Sequence, residues 1–110
     1  MNFGEAIKVC FGQYASFAGR ASRSEYWWWV LFVVLVSLAL ALVGMEMVGA
    51  IFSLAVLLPS LAVGARRLHD IGKSGWWLLI YLVPLVGWLV LLYFAVQPSQ
   101  SGSNEYGSAP

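Results

Sequence analysis

The chain has 110 residues, of which 61% are hydrophobic and only 10% are charged. Average soluble domains are about 45–50% apolar and about 25% charged, so a soluble fold of this composition would expose large apolar patches, which monomers avoid. The net charge of +1 predicts no nucleic-acid partner, and one cysteine with one histidine cannot form a disulfide or a closed metal shell. We therefore expect no metal and no cofactor.

The first segment, residues 2–18, is predicted to form an amphipathic helix that lies on a membrane surface. Its apolar residues recur at spacings of three and four, as on one face of a helix: Phe3, Ile7, Cys10, Phe11, Tyr14 and Phe17. Gly19 is expected to end this helix. Ser22 and Glu25 then form the sequence of a capping box, in which each side chain satisfies a free backbone N–H of the other residue.

Three long apolar runs follow, and each is long enough to cross a membrane. About 20 helical residues span the roughly 30 Å of hydrocarbon, and helices satisfy their own backbone groups in lipid. The predicted transmembrane helices cover residues 26–45, residues 47–66 with a polar extension to 71, and residues 76–96. The sequence thus predicts an all-α integral membrane protein, with three transmembrane helices after the interfacial helix and a flexible tail over 97–110.

Single residues refine this map of the spans. Gly44 suits a helix end, so Glu46 is predicted in a turn between the first two spans, the alternative being a carboxylate within the membrane. Pro59 and Pro84 are expected to kink the second and third spans. Ser60 and Gly64 form a small-residue face for another helix, within the chain or in a homo-oligomer. The indole N–H of Trp88, deep in the third span, requires a partner.

The basic residues predict the orientation. Lys8, Arg20 and Arg23 precede the first span, and Arg66, Arg67 and Lys73 lie between the second and third, whereas the turn at Glu46 and the tail contain no Lys or Arg. The positive-inside rule then places the N-terminus in the cytoplasm and, after three crossings, the C-terminus outside. Tryptophans at the cytoplasmic ends of two spans are predicted to be interface anchors rather than an aromatic cage: Trp27, Trp28, Trp29, Trp76 and Trp77.

The cytoplasmic face is the predicted binding site, either for anionic lipid headgroups or for a partner protein. Glu25 can pair with Arg66 or Arg67, and arginine also suits phosphate because its planar fork donates two parallel hydrogen bonds. His69 beside Asp70 has the outline of an acid–base pair, but no nucleophile or metal shell accompanies it, so no catalytic residue is predicted. The candidate binding residues are Arg20, Arg23, Glu25, Arg66, Arg67, His69, Asp70 and Lys73.

Four short motifs resemble, in order, those of the bacterial inner-membrane proteins of domain-of-unknown-function family 805, the YhaH-like proteins. They are GRASRSEYW at 19–27, RRLHD at 66–70 with Gly72, SGWW at 74–77 and NEYG at 104–107. Ile71 and Lys73 stand where the family pattern favours Thr and Arg. The resemblance implies a small multi-span protein of the bacterial cytoplasmic membrane, and it implies no reaction, cofactor or catalytic residue.

The predicted function is therefore that of a non-enzymatic membrane module. A subunit of an oligomeric small-molecule transporter or channel is the alternative, although no predicted span carries an interior charge that could couple transport. A membrane enzyme that acts on lipid headgroups through His69 and Asp70 is the third class.

Overall fold

The computed structural model describes residues 2–108, and its secondary-structure elements are all helices, as predicted. The elements are α1 (Phe3–Gly12), α2 (Arg23–Leu42), α3 (Glu46–Asp70), a 3₁₀ helix (Gly75–Leu82) and α4 (Val86–Val96). Of these, α2 and α3 are long and apolar enough to cross a membrane. Large apolar side chains are exposed along both helices, among them Leu35 and Leu38 of α2 and Ile51 and Leu54 of α3. Such exposure is expected of helices that face lipid.

Helix α1 is shorter than the predicted interfacial helix. The side chain of Asn2 caps its start by accepting the N–H of Glu5 at 2.8 Å, and the helix ends at Gly12 rather than near Ala18. Its buried side chains are Ala6 and Cys10. The edge of Phe11 packs on Trp29 of α2, with 5.1 Å between the ring centroids. Packing on α2 therefore holds α1, whereas its position on a membrane surface stays a prediction.

The first two predicted spans, α2 and α3, form a helical hairpin. Ser22 caps α2 by accepting the N–H of Glu25 at 3.2 Å, but the carboxylate of Glu25 turns to Arg66 instead of completing the predicted capping box. Gly44 has φ of +74°, a conformation that side chains disfavour, and it ends α2. Glu46 is exposed at the first residue of α3, directly after the turn between the two helices.

Trp29 lies in the core between α2 and α3 and is only 1% exposed, so its predicted role as an interface anchor is wrong. Its indole N–H donates to Ser60 Oγ at 3.0 Å, which also explains the small polar residue at that position of α3. The predicted small-residue face is used within the chain. A Cβ on Gly64 would meet the Leu78 side chain of the 3₁₀ helix at 3.4 Å.

The predicted third span is not one helix. The 3₁₀ helix ends at Leu82, and the chain reverses at Pro84 and Leu85 before α4 begins at Val86. Leu85 has φ of +64°, and Val86 N donates to Pro84 O at 2.7 Å, which is the pattern of the rare γ-turn with positive φ. We name residues 75–96 the Pro84 hairpin. Pro84 therefore lies in a reversal of the chain rather than in a kinked helix.

The two arms of the Pro84 hairpin pack closely on each other. The indole N–H of Trp88 finds its expected partner in the carbonyl of Tyr81, at 3.1 Å. A Cβ on Gly87 would lie only 1.8 Å from Ile80 O, so only glycine fits there. Eight 3₁₀ residues rise about 16 Å and eleven α-helical residues rise about 16.5 Å. Each arm covers about half of the hydrocarbon thickness.

The tail returns to the end of the molecule that carries Arg20 and Asp70, whereas the predicted three crossings place it on the opposite face. Gln100 N donates to Asp70 O at 2.9 Å, and Asn104 Nδ2 donates to His69 O at 2.9 Å. Hydrogen bonds between Asn104 and Gly107 close a turn within the tail, and residues 109–110 lie outside the described part. The reversal at Pro84 brings the chain back to this end of the molecule.

This topology predicts that the N-terminus and the tail label from the same side of a sealed membrane. In a Cys10→Ser background, we expect Lys8→Cys and Ser101→Cys to react with an impermeant maleimide from one side and Met45→Cys from the other. Right-side-out and inverted vesicles provide the comparison. Labelling of Ser101→Cys and Met45→Cys from the same side would contradict the Pro84 hairpin and restore three crossings.

Candidate functional site

Five buried charged side chains form the centre of the predicted site, and we name them the arginine cluster: Arg20, Glu25, Arg66, Arg67 and Asp70. The two oxygens of Asp70 accept from Arg20 Nε at 3.0 Å and from Arg67 Nη1 at 2.6 Å. Glu25 Oε2 accepts from Arg66 Nη1 at 2.5 Å, which selects Arg66 over Arg67 as its partner. The sequence motifs around Arg20 and Arg67 are thus brought together by direct ion pairs between α3 and the start of α2.

Three arginines face only two carboxylates in this cluster, and backbone carbonyls accept the remaining donors of Arg20 and Arg67. Arg20 donates to Gln100 O and Gly102 O, both at 2.6 Å. Arg67 donates to Ala95 O at 3.3 Å and to Gln97 O, at the C-terminal end of α4, where the helix dipole favours a cation. The tail and the Pro84 hairpin are therefore held in place by the arginines.

Arg66 is the exception, because two of its donors remain unused. The side chain is 1% exposed, yet its Nε and Nη2 atoms have no hydrogen-bond partner within residues 2–108. The neighbouring Cys10 thiol donates to Glu25 Oε2 at 3.7 Å. Burial, followed by the charge of Glu25, raises the pKa of the Cys10 thiol to about 12.

His69 does not pair with Asp70, although the two are adjacent in sequence. Nδ1 of the imidazole lies 2.9 Å from Gly19 O, and the ring stacks on Tyr106 of the tail with 4.0 Å between centroids and 1° between planes. Since Asp70 is engaged by Arg20 and Arg67, the acid–base pair outlined by the sequence does not form. Within residues 2–108, no three His, Cys, Asp or Glu side chains are placed to share a metal ion.

Two of the eight predicted binding residues remain exposed, namely Arg23 and Lys73. Both contact the last turn of α4. Arg23 Nη1 donates to Val96 O at 3.1 Å, and Lys73 Nζ lies 5.7 Å from the centroid of the Phe94 ring. These contacts fix the two cations at one end of the helices while their charges stay accessible.

Arg23 borders a surface groove of about 490 Å³ along the first two turns of α2. The groove changes from polar to apolar along the helix, and its lining residues are Arg23, Ser24, Trp27, Trp28 and Leu31. Trp27 donates its indole N–H to Ala95 O at 3.1 Å, which ties the groove wall to α4. Trp76 and Trp77, two further predicted anchors, are exposed at the start of the Pro84 hairpin.

Sequence reasoning missed the part of the site that the tail provides. Ser99 Oγ donates to Asp70 Oδ2, and the carbonyls of the tail accept from Arg20. The NEYG motif at 104–107 was a signal, because it includes both Asn104, which binds the end of α3, and Tyr106, which covers His69. Every residue has a backbone carbonyl, so the sequence does not indicate which carbonyls accept these hydrogen bonds.

The chain matches one protein family and is similar to two bacterial inner membrane proteins. The family model described as "Protein of unknown function (DUF805)" matches residues 14–108. The chain is 43% identical to the inner membrane protein YhaI of Escherichia coli K12, over 88% of this chain and 87% of that protein. It is 36% identical to the inner membrane protein YhaH of the same strain, over 88% of each chain. No solved structure matches the chain.

The arginine cluster predicts that Asp70 is essential for stability. Asp70→Asn removes the charge that two buried arginines share, and breaking a buried ion pair costs about 3–5 kcal/mol. We expect the free energy of unfolding in mixed micelles to fall by that amount. Glu46→Gln, at an exposed position, is the matched control and should change it by less than about 0.5 kcal/mol. Equal effects of the two variants would show that the cluster does not stabilise the fold.

The Cys10 thiol is predicted to resist alkylation near neutral pH. With a pKa raised to about 12, roughly one thiol in ten thousand is ionised at pH 8, so reaction should be about a thousandfold slower than for an ordinary cysteine. The raised pKa favours the neutral thiol, which reacts far more slowly than the thiolate. The rate of alkylation should therefore keep rising as the pH increases above 9. Ser101→Cys in a Cys10→Ser background is the exposed control. Similar rates at the two positions would contradict burial of Cys10.

Proposed function

This chain belongs to the family of proteins of unknown function DUF805, and we propose that it is a non-enzymatic, multi-pass module of the bacterial inner membrane that binds anionic phospholipid headgroups. The supporting observation is the groove beside α2, where an exposed arginine stands above tryptophan and leucine side chains. That sequence of surfaces matches a phospholipid from phosphate to acyl chain.

In the proposed topology, α2 and α3 cross the membrane and the Pro84 hairpin enters it from one face and returns. All six Lys and Arg residues then lie on one side of the bilayer, with the N-terminus and the tail. The positive-inside rule assigns this side to the cytoplasm. The turn at Pro84 is exposed in this chain, so at this depth its free backbone groups would have to be covered by another protein surface. Helix α1 would rest on the cytoplasmic surface.

The basic residues divide into two roles in this proposal. Arg20, Arg66 and Arg67 are buried and bound to carboxylates and carbonyls, so they maintain the scaffold and do not reach a headgroup. Arg23 and Lys73 are exposed and bind lipid. A basic residue near an anionic surface contributes about 1 kcal/mol.

Arg23 has the geometry that phosphate binding requires. One guanidinium nitrogen is fixed on Val96 O, which orients the planar group and leaves further N–H donors for a phosphate. Arg23 is also the first residue of α2, where free backbone N–H groups and the helix dipole favour an anion. Ser24 adds a hydroxyl to the same groove, and Leu31 provides the apolar end.

The positions of His69 and Asp70 support a non-enzymatic module rather than a headgroup-processing enzyme. Asp70 is neutralised by two arginines, and the imidazole of His69 is directed to a backbone carbonyl. A general base needs a partner that orients it toward a substrate proton. The carboxylate that the sequence suggested for that task is engaged elsewhere.

The transporter alternative has less support from the helices. The runs from Tyr26 to Met45 and from Met47 to Ala65 contain no charged residue, so these two runs carry no interior coupling group. A protein partner that binds the same exposed cations is an outcome that the lipid experiment distinguishes.

Removal of the two exposed cations should weaken binding of anionic lipid. For the double variant Arg23→Gln, Lys73→Gln, we expect the affinity for phosphatidylglycerol to fall roughly 20- to 30-fold, from about 1 kcal/mol for each residue. Native mass spectrometry of the protein titrated with phosphatidylglycerol gives the affinity, and phosphatidylcholine is the neutral comparison.

Lys8→Gln is the matched control, because it removes an exposed positive charge from α1 and leaves the groove intact. We expect a change of less than threefold. Unchanged phosphatidylglycerol affinity in the double variant would refute the lipid site. Should the variant also lose a protein that co-purifies with the parent chain, a partner-binding surface would replace it.

A further inference from the structure

A second cavity, of about 530 Å³, lies between α3 and the 3₁₀ helix on the far side of His69 from its carbonyl partner. We propose that this cavity binds a neutral lipid alcohol, such as a diacylglycerol, whose hydroxyl group donates to His69 Nε2. The cavity is separate from the Arg23 groove and shares no lining residue with it, so this inference does not depend on the proposed function.

His69 presents a fixed acceptor to this cavity. Gly19 O can only accept, so the neutral imidazole carries its proton on Nδ1 and leaves Nε2 as a lone-pair acceptor. Stacking on Tyr106 holds the plane of the ring. His69 is only 9% exposed, and Nε2 makes no hydrogen bond within the part of the chain that the structure describes. Nε2 is not among the fully buried atoms that lack a partner, so this acceptor is open to the cavity and can receive a hydrogen bond there.

Gly75 keeps the space beside Nε2 open. A Cβ at this position would lie 3.5 Å from His69 Nε2 and 3.2 Å from Ala65 Cβ, so any larger residue would narrow the polar end of the cavity. Ser74 lines the same end. Its oxygen accepts the N–H of Trp76 at 3.2 Å, which leaves its own hydrogen to donate. The polar end thus offers one acceptor and one donor, which is the pair that a hydroxyl group satisfies.

The rest of the cavity fits an aliphatic chain. Its remaining side chains are apolar, and its size is within the range of about 300–1,000 Å³ typical of small-molecule sites: the apolar lining includes Phe17, Leu61, Trp76, Leu78 and Leu79. Trp76 is 78% exposed, so the entrance opens where the Pro84 hairpin begins. A ligand therefore enters from the apolar phase with its head near the basic end of the helices.

The side chains that line the cavity favour an uncharged headgroup. Among the described residues, no Lys, Arg, Asp or Glu side chain lines this cavity, and an ionised headgroup would be desolvated there without compensation. A neutral hydroxyl avoids that cost. This distinguishes the cavity from the groove at Arg23, which suits a phosphate.

The single histidine of the chain makes this proposal directly measurable. We suggest ¹⁵N-histidine-labelled protein in dodecylphosphocholine, a detergent without a hydroxyl group, titrated with 1,2-dioctanoylglycerol. The free protein should show a protonated Nδ1 and a pyridine-type Nε2, and the Nε2 resonance should move upfield, saturably, as the alcohol binds. The methyl ether of the same diacylglycerol, which cannot donate, should cause no such shift, and glycerol alone should not bind.

Two variants test the cavity independently of the fold. Gly75→Ala narrows the polar end and Leu79→Trp fills the apolar end, and we expect each to weaken the affinity for dioctanoylglycerol at least tenfold while the Nδ1–H signal is retained. Gly12→Ala, where a Cβ meets open space, should leave affinity unchanged. The proposal is overturned by a protonated Nε2 in the free protein, by an equal shift with the methyl ether or with glycerol, or by unchanged affinity in Leu79→Trp.

Discussion

The sharing of Asp70 between Arg20 and Arg67 is the interaction on which the rest of this structure depends. Ions buried without water need both charge neutralisation and complete hydrogen bonding, because their desolvation is costly. Asp70 is fully buried and meets that need with two guanidinium groups and the hydroxyl of Ser99. One of its partners precedes α2, another lies on α3, and the third belongs to the tail. The end of α3 is thereby joined to the segment between α1 and α2 and to the tail.

The surplus of guanidinium donors explains why the chain returns at its C-terminal end. A buried arginine has five N–H donors, and one carboxylate cannot accept from all the donors of two arginines. The carbonyls of Gln100 and Gly102 accept from Arg20, and those at the end of α4 accept from Arg67. A third helix that crossed the membrane would remove these acceptors and leave buried cations with unused donors. The Pro84 hairpin instead returns the end of α4 and the tail to the arginines, so their carbonyls can accept these donors.

Much of the fold could be predicted from the sequence, because lengths of uncharged chain and positions of single glycines are local properties. The runs that became α2 and α3, the turn at Gly44 and the end of α3 near Gly72 all follow from such features. The direction of the third run does not. Its length is compatible with a crossing, and a proline in an apolar run is equally compatible with a kink or a reversal. The γ-turn at Leu85, the packing of the two arms and the hydrogen bonds of the tail with Arg20 and Asp70 distinguish the two.

The same contacts change what the basic residues mean. Positive charge at one end of a membrane protein is normally read as orientation or as a surface for anionic lipid, and both interpretations assume that the charges are exposed. Here burial separates Arg20, Arg66 and Arg67, which join segments of the chain, from Arg23 and Lys73, which remain accessible. It also frees His69 from Asp70, because the arginines take the carboxylate and the imidazole turns to Gly19. An ion-pair network that holds the scaffold is thus the reason that the histidine is left with an acceptor facing an apolar cavity.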